Sequence, residues 1–283
     1  MKKCPRCLKL DDDSVRFCKN CNTELFFEDR FPRMAMNMRG KKDMGSRNDM
    51  KIVVITGTEV KGCTYHIKEA FLSPLRGNSE IIEFTLPRDM PHFCNGCKVC
   101  FFSSEDRCLH AEALSPIRSA MFDSDLIVIT APVYGLGIPA ALKSIFDHFT
   151  VHWMVHRPEP MMFTKHAVVI TNCVGPDFMA KSSQRDIINA LSWMGVSRIK
   201  RLGVGLLETV IWDDLSEKRR NKIVQRAARL GEKHLNLRPA KKSLKFRVKF
   251  FASKIMHTAV LKKEETPGAD NQYWIDKGWL KPK

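Results

Sequence analysis

Five short apolar runs punctuate the middle of the chain, each rich in Val and Ile and each bounded by turn residues. They are residues 51–56 (KIVVIT), 81–86 (IIEFTL), 125–130 (DLIVIT), 166–171 (HAVVIT) and 197–207 (SRIKRLGVGLL). Runs of this length and β-branched content predict buried strands. Between them, apolar positions recur at helical spacing over about 64–75, 111–122, 139–151, 181–194 and 214–235, the last a long amphipathic helix. Strands that alternate with helices predict an α/β domain with a doubly wound parallel sheet, helix-covered on both faces. Ligands of such sheets bind beyond the carboxyl ends of the strands. The loops after strands one, three and four are therefore the places to look for chemistry. Residues 87–110, after strand two, are predicted to be a long loop.

Outside this core the pattern changes. Residues 27–50 mix charge, Met and Gly without periodicity and are expected to be a linker. The expected division is a cysteine module over 1–26, the linker 27–50, the α/β domain 51–237 and a basic extension 238–283. Formal charge is +16. The last 46 residues hold 12 basic and 4 acidic groups, whereas residues 51–237 hold 23 and 19. A nearly balanced central domain disfavours nucleic-acid binding. No uncharged apolar stretch approaches the roughly 20 residues of a transmembrane helix. Residues 241–263 (KKSLKFRVKFFASKIMHTAVLKK) carry eight Lys or Arg and no acid. Such a helix either lies on an anionic membrane or packs on the core with its charged face in water; packing is the expectation, with peripheral membrane contact the alternative.

Two loops carry binding chemistry. Gly57-Thr-Glu-Val-Lys-Gly-Cys-Thr64 leads from strand one into a helix. Small residues, two threonine hydroxyls and a helix N-terminus suit one phosphate, although a capped turn reads much the same. Ala131-Pro-Val-Tyr-Gly-Leu-Gly-Ile-Pro139 follows strand three, and a helix with Lys143 and Asp147 follows it. Together these loops resemble those of the flavodoxin-like NAD(P)H-dependent FMN reductases. The resemblance spans about 51–210 and extends to Tyr273-Trp274 and Gly278-Trp279-Leu280. It implies a flavodoxin-like five-stranded sheet with FMN as cofactor and NAD(P)H as substrate. It implies further that Thr58, Lys61, Gly62 and Thr64 hold the FMN phosphate. Pro132, Val133, Tyr134 and Gly135 would line the isoalloxazine, and Gly175 would approach it from the other side. Glu59 stands where relatives usually have Pro, Ala131 replaces Ser, and His148 replaces Arg.

Eight of the ten cysteines form two groups. Cys4, Cys7, Cys18 and Cys21 read C-x2-C, ten residues, C-x2-C, which suits a tetrahedral Zn2+ thiolate site. Two disulfides are the alternative, but no apolar run follows MKKC, so a reducing cytoplasm is expected. This segment resembles a short zinc ribbon, and so small a module would draw most of its folding free energy from the metal. Cys94, Cys97, Cys100 and Cys108 read C-x2-C-x2-C-x7-C, a spacing that can wrap an iron–sulfur cubane. It resembles the iron–sulfur flavoproteins of the same family, which implies a 4Fe–4S cluster near the flavin. Free redox thiols, or zinc with the flanking His92 and His110, remain open. Cys63 and Cys173 are expected in the core. His148, His152 and His156 would share a face only if their helix continues.

The resemblance implies a cytoplasmic FMN-dependent NAD(P)H oxidoreductase, passing electrons to a quinone, nitro compound, flavin or protein acceptor, with no catalytic side chain and with a homodimer expected. Two alternatives stand beside it: an iron–sulfur single-electron carrier, and a non-enzymatic docking protein on a degenerate flavodoxin scaffold.

Overall fold

Alternation along the apolar runs builds two cores at once. The computed structural model describes residues 2–3, 10–11 and 50–282. Its main sheet has five parallel strands: β1 (Met50–Thr56), β2 (Ser79–Thr85), β3 (Leu126–Pro132), β4 (His166–Val174) and β5 (Arg198–Leu206). Their order is β2-β1-β3-β4-β5, the flavodoxin-like arrangement in which strand order reverses between β1 and β3. Ile52 and Val54 of β1 face α1 (Cys63–Leu72) and α6 (Glu217–Glu232), joining Phe71, Ile223 and Ala227. Val53 and Ile55 face the opposite layer, where α3 (Ala111–Asp123), α4 (Ala140–His148) and α5 (Lys181–Trp193) supply Ile117, Ile145 and Ile187. All seven residues of β3 are buried, as befits the central strand. Each such apolar side chain contributes roughly 1.5–3 kcal/mol on burial.

Where the elements differ from the sequence expectation, side-chain bonding or pairing explains it. The helix expected over 139–151 stops at His148 and tightens into a 3-10 turn, Phe149–His152. There the Thr150 hydroxyl donates to the Asp147 carbonyl at 2.9 Å. β4 runs three residues past Thr171 because β5 pairs with it as far as Val174 and Leu206. α6 starts at Glu217 rather than 214, where Ser216 caps it by accepting from the Arg219 amide. The loop expected over 87–110 contains a helical turn, α2 (Val99–Phe102).

The described residues form two compact units: residues 50–94 with 110–282 in one, and residues 2–3, 10–11 and 95–109 in the other. In the smaller unit, Lys2–Lys3 pairs antiparallel with Leu10–Asp11. The N-terminal cysteines Cys4, Cys7, Cys18 and Cys21, and nearly all of the expected linker, lie outside the described residues.

The basic extension folds as α7 (Leu244–Leu261) and α8 (Ala269–Asp276). Phe246 and Phe250 of α7 pack on Phe163, Trp274 and Trp279, so its inner face does pack on the core. Trp274 is fully buried and donates its indole N–H to the His156 carbonyl at 2.6 Å. Among the described residues no helix is long and apolar enough to cross a membrane.

Candidate functional site

At the carboxyl edge of the sheet, three loops are tied together by residues of the strand ends. The first starts at Gly57, whose amide donates to the Thr130 carbonyl at 2.7 Å. A Cβ on Gly57 would lie 3.2 Å from Ala131 Cβ. Thr58 is buried and accepts from the Val60 amide, while Glu59 and Lys61 face solvent. Glu59 is thus turned outward, as a carboxylate beside an anion site must be. Gly62 caps α1 without any side-chain bond, and the first turn carries no acid. The first intrahelical bond is that from His66 to Gly62 at 3.2 Å. The amides of Cys63, Thr64 and Tyr65 therefore keep their hydrogens directed out of the helix end, where the dipole favours an anion.

Thr64 is tied to the end of β4. Its hydroxyl donates to Asn172 Oδ1 at 2.5 Å, which leaves its backbone amide as the donor facing the loop. Asn172 also accepts from the Val133 amide through its carbonyl at 2.8 Å. One residue at the end of β4 thus fastens the loops after β1 and β3. The second loop is a tight turn with Tyr134 and Gly137 exchanging amide bonds. Both central residues, Gly135 and Leu136, have positive φ, the signature of a type I′ turn. Ser182 of α5 donates to the Leu136 carbonyl at 2.7 Å and steadies it. Pro132 is buried as the last residue of β3, and Val133 is half-buried. Tyr134 is 53% exposed.

The third loop carries Gly175, at φ +100°, whose amide donates to the Leu206 carbonyl. Opposite it, a Cβ on Gly205 would fall 2.2 Å from the Gly175 carbonyl oxygen. Asp177 accepts from the Gly205 amide at 2.7 Å, and Arg226 of α6 pairs with that carboxylate at 3.0 Å. Around these loops Val60, Tyr134, Leu136, Val174 and Phe178 leave apolar surface uncovered. Free amides at a helix end, beside exposed apolar groups, can hold a phosphate at one end and a flat apolar ring at the other. Asn172, Ser182 and Asp177 carry no local motif; only their partners mark them.

The remaining candidates are placed as follows. Cys63 and Cys173 are buried, and burial pushes both thiols up. Cys94 is exposed, and Cys97, Cys100 and Cys108 are half-buried. The Cys97 amide donates to Asn95 Oδ1, and Gly96 and Lys98 take positive φ just before α2. His92 stacks on His110 at 4.7 Å between ring centroids, and His110 Nδ1 lies 3.2 Å from His148 Nε2. Burial lowers the pKa of both His110 and His148. His148, His152 and His156 do not converge. His148 bonds the Ser144 carbonyl, His152 packs edge-on against Phe122, and His156 pairs with Asp270.

The family model for NADPH-dependent FMN reductase matches residues 50–206, which takes in all five strands and all three loops. The chain belongs to this family. It is accordingly a NAD(P)H-dependent flavin oxidoreductase, with FMN as cofactor. An iron–sulfur flavoprotein of Archaeoglobus fulgidus is 22% identical over 233 residues, 82% of this chain and all of the relative. An FMN-dependent NADH:quinone oxidoreductase of Lachnoclostridium phytofermentans is 30% identical over 95 residues, 31% of this chain and 48% of the relative. Among solved structures, the NAD(P)H:quinone oxidoreductase of Methanothermobacter marburgensis superposes with a TM-score of 0.53. It shows 15% identity and covers 67% of this chain and 99% of its own. That likeness supports the flavodoxin-like fold. Against the FMN reductase expectation, the donor set fits: a phosphate monoester needs free amides, and the α1 end supplies them with no acid in its first turn and Glu59 facing solvent.

Proposed function

We propose that this FMN reductase takes electrons from NAD(P)H and delivers them to a small-molecule acceptor of the quinone or nitro class, to free flavin, or to a protein. The observation that carries the reading is the uncapped α1 N-terminus, set beside the Tyr134 turn and tied to it through Asn172. In this reading Thr58, Lys61, Gly62 and Thr64 hold the phosphate, Thr64 through its amide. Pro132, Val133, Tyr134 and Gly135 lie along one side of the ring, and Gly175 lies on the other. When bound, FMN would supply the redox chemistry between NAD(P)H and the acceptor. The chain's own part is positioning. Asn172 fixes the spacing of two loops, Ser182 steadies the Leu136 turn, and Asp177 with Arg226 holds the Gly175 loop. The apolar rim excludes water, and no side chain is needed as acid, base or nucleophile.

The test is reconstitution of purified protein with FMN, followed by its visible spectrum and by NAD(P)H oxidation with a quinone. Retained flavin and quinone-dependent oxidation support the reading; colourless protein without oxidation overturns it. Thr58→Glu, which sets a carboxylate in the phosphate loop, is expected to weaken FMN binding tenfold or more, about 1.4 kcal/mol. A homodimer belongs to the reading, since Tyr134, Leu136, Val174 and Phe178 stand uncovered. A monomer in sedimentation velocity would remove that part.

A second reading rests on the thiol spacing and on the full-length iron–sulfur flavoprotein relative. In it Cys94, Cys97, Cys100 and Cys108 ligate a 4Fe–4S cluster, and the protein passes single electrons. Iron and sulfide analysis of anaerobically purified protein decides it, four of each per chain being required. In the same reading residues 1–26 form a zinc ribbon on Cys4, Cys7, Cys18 and Cys21, tethered by 27–50 to the 51–237 domain. One zinc per chain, lost on replacing Cys4 and Cys7, is the expected result.

A further inference from the structure

Helix α7 is apolar on two opposite faces, and only one of them is covered. Phe246, Ser253, His257 and Leu261 are buried against the rest of the chain, with Phe250 packed beside them. Leu244, Val248, Phe251 and Ile255 point away from that contact, and Leu244 and Phe251 are 77% and 64% exposed. At about 100° per residue, these four fall within an arc of about 60°, directly opposite the buried face. Exposed cations flank the arc on both sides. Arg247 and Lys254 lie on one side and Lys245 on the other, with Lys262 and Lys263 exposed just past the end of the helix. From Lys233 to Lys263 the chain has no acidic residue. The first acid that follows, Glu264, is engaged with the Gly268 amide and Asn271.

We propose that the outer face of α7 seats this protein on an anionic membrane surface. An exposed apolar face edged by Lys and Arg is the arrangement an interfacial helix presents to acidic headgroups. The apolar side chains enter the headgroup boundary, while the flanking cations extend along it to lipid phosphates. A second copy of the chain fits this face poorly, because it would set another acid-free row of cations against the first. A groove in an acidic protein fits poorly as well. Grooves embrace most of a helix, and the inner half of α7 is already packed on Phe163, Trp274 and Trp279. Docking leaves the flavin loops free. α7 packs on Phe163 and beside Gly195, residues that precede β4 and β5, whereas the site lies at the far ends of those strands. Binding is therefore independent of flavin loading, and its failure would leave the FMN reading untouched.

The test is co-sedimentation of the full-length protein with vesicles, either of phosphatidylcholine alone or of equimolar phosphatidylcholine and phosphatidylglycerol. The expected result is binding to the anionic vesicles at about 0.1 M salt, loss near 1 M salt and little binding to the neutral ones. Phe251→Glu with Ile255→Glu should lower partitioning at least about tenfold, with NAD(P)H oxidation unchanged. Should that variant misfold, Lys245→Gln with Arg247→Gln and Lys254→Gln leaves the stripe intact and should cost a similar factor. Equal binding to both vesicle types, or none, overturns the proposal. So does self-association in solution that the Phe251→Glu, Ile255→Glu variant abolishes, which would assign the face to a second copy.

Discussion

Single residues decide how tightly the site loops can approach one another. Gly205 has no room for a methyl group, because its Cβ would meet the Gly175 carbonyl at 2.2 Å and the Asp177 amide at 2.6 Å. The loop backbone would have to move. Gly205→Ala is therefore expected to destabilise by about 1–3 kcal/mol, read from the urea midpoint, and to weaken FMN binding with it. Asn172→Leu keeps the volume but removes the acceptor of the Thr64 hydroxyl, leaving a buried donor unpaired at a cost of about 1–3 kcal/mol. Neither residue stands out in the sequence. Gly205 is one of two glycines in RLGVGLL, and Asn172 sits in an ordinary strand end. Their partners lie 30 and 108 positions away, beyond what local pattern can show. The cysteines were more legible. Cys63 and Cys173 are buried as their apolar neighbourhoods predict, with thiols pushed up by that burial. Alkylation at neutral pH, followed by mass spectrometry, should leave both unmodified until the protein is unfolded.

At the scale of elements, α3 and α4 meet through histidines. His148 Nδ1 lies 2.8 Å from the Ser144 carbonyl, so Nδ1 carries the proton and Nε2 is free to accept from His110 Nδ1. Protonating His148 would set two N–H groups against each other. Both pKa values are lowered, chiefly by burial. The unfolded chain, with imidazoles near 6.5, takes up protons first as the pH falls. The stabilisation is thus complete above about pH 6.5 and is lost as pH drops through the depressed folded values. The melting temperature is expected to fall between pH 7.5 and pH 5.5, and His148→Gln should flatten that slope. This contact was hidden in the sequence, where His148, His152 and His156 suggested one helical face. The 3-10 turn after His148 breaks the face by changing the rotation per residue.

For the whole molecule, the C-terminal segment acts as a clamp. Trp274 fills a closed site among Phe250, His257 and Trp279. Trp274→Ala should therefore cost about 3–5 kcal/mol, measured by chemical unfolding. Loading FMN should work in the opposite direction. At a hundred times its Kd it adds about 2.7 kcal/mol by mass action, seen as a rise in melting temperature that Thr58→Glu should cut to about half or less at the same FMN concentration.

The sequence by itself determined the strands, the parallel sheet covered by helices on both faces and the loops at its carboxyl edge, because these follow from alternation and spacing within a few residues. Residues 51–56 and 125–130 needed nothing further to be recognised as core strands. The tertiary structure alone decided which residues tie those loops together, where α4 ends and which side of α7 is inside. Phe246 and Phe250 are no more apolar in sequence than Phe251 and Ile255. Only the presence of Phe163, Trp274 and Trp279 against one face separates them, and that depends on contacts between distant parts of the chain, which local periodicity does not encode.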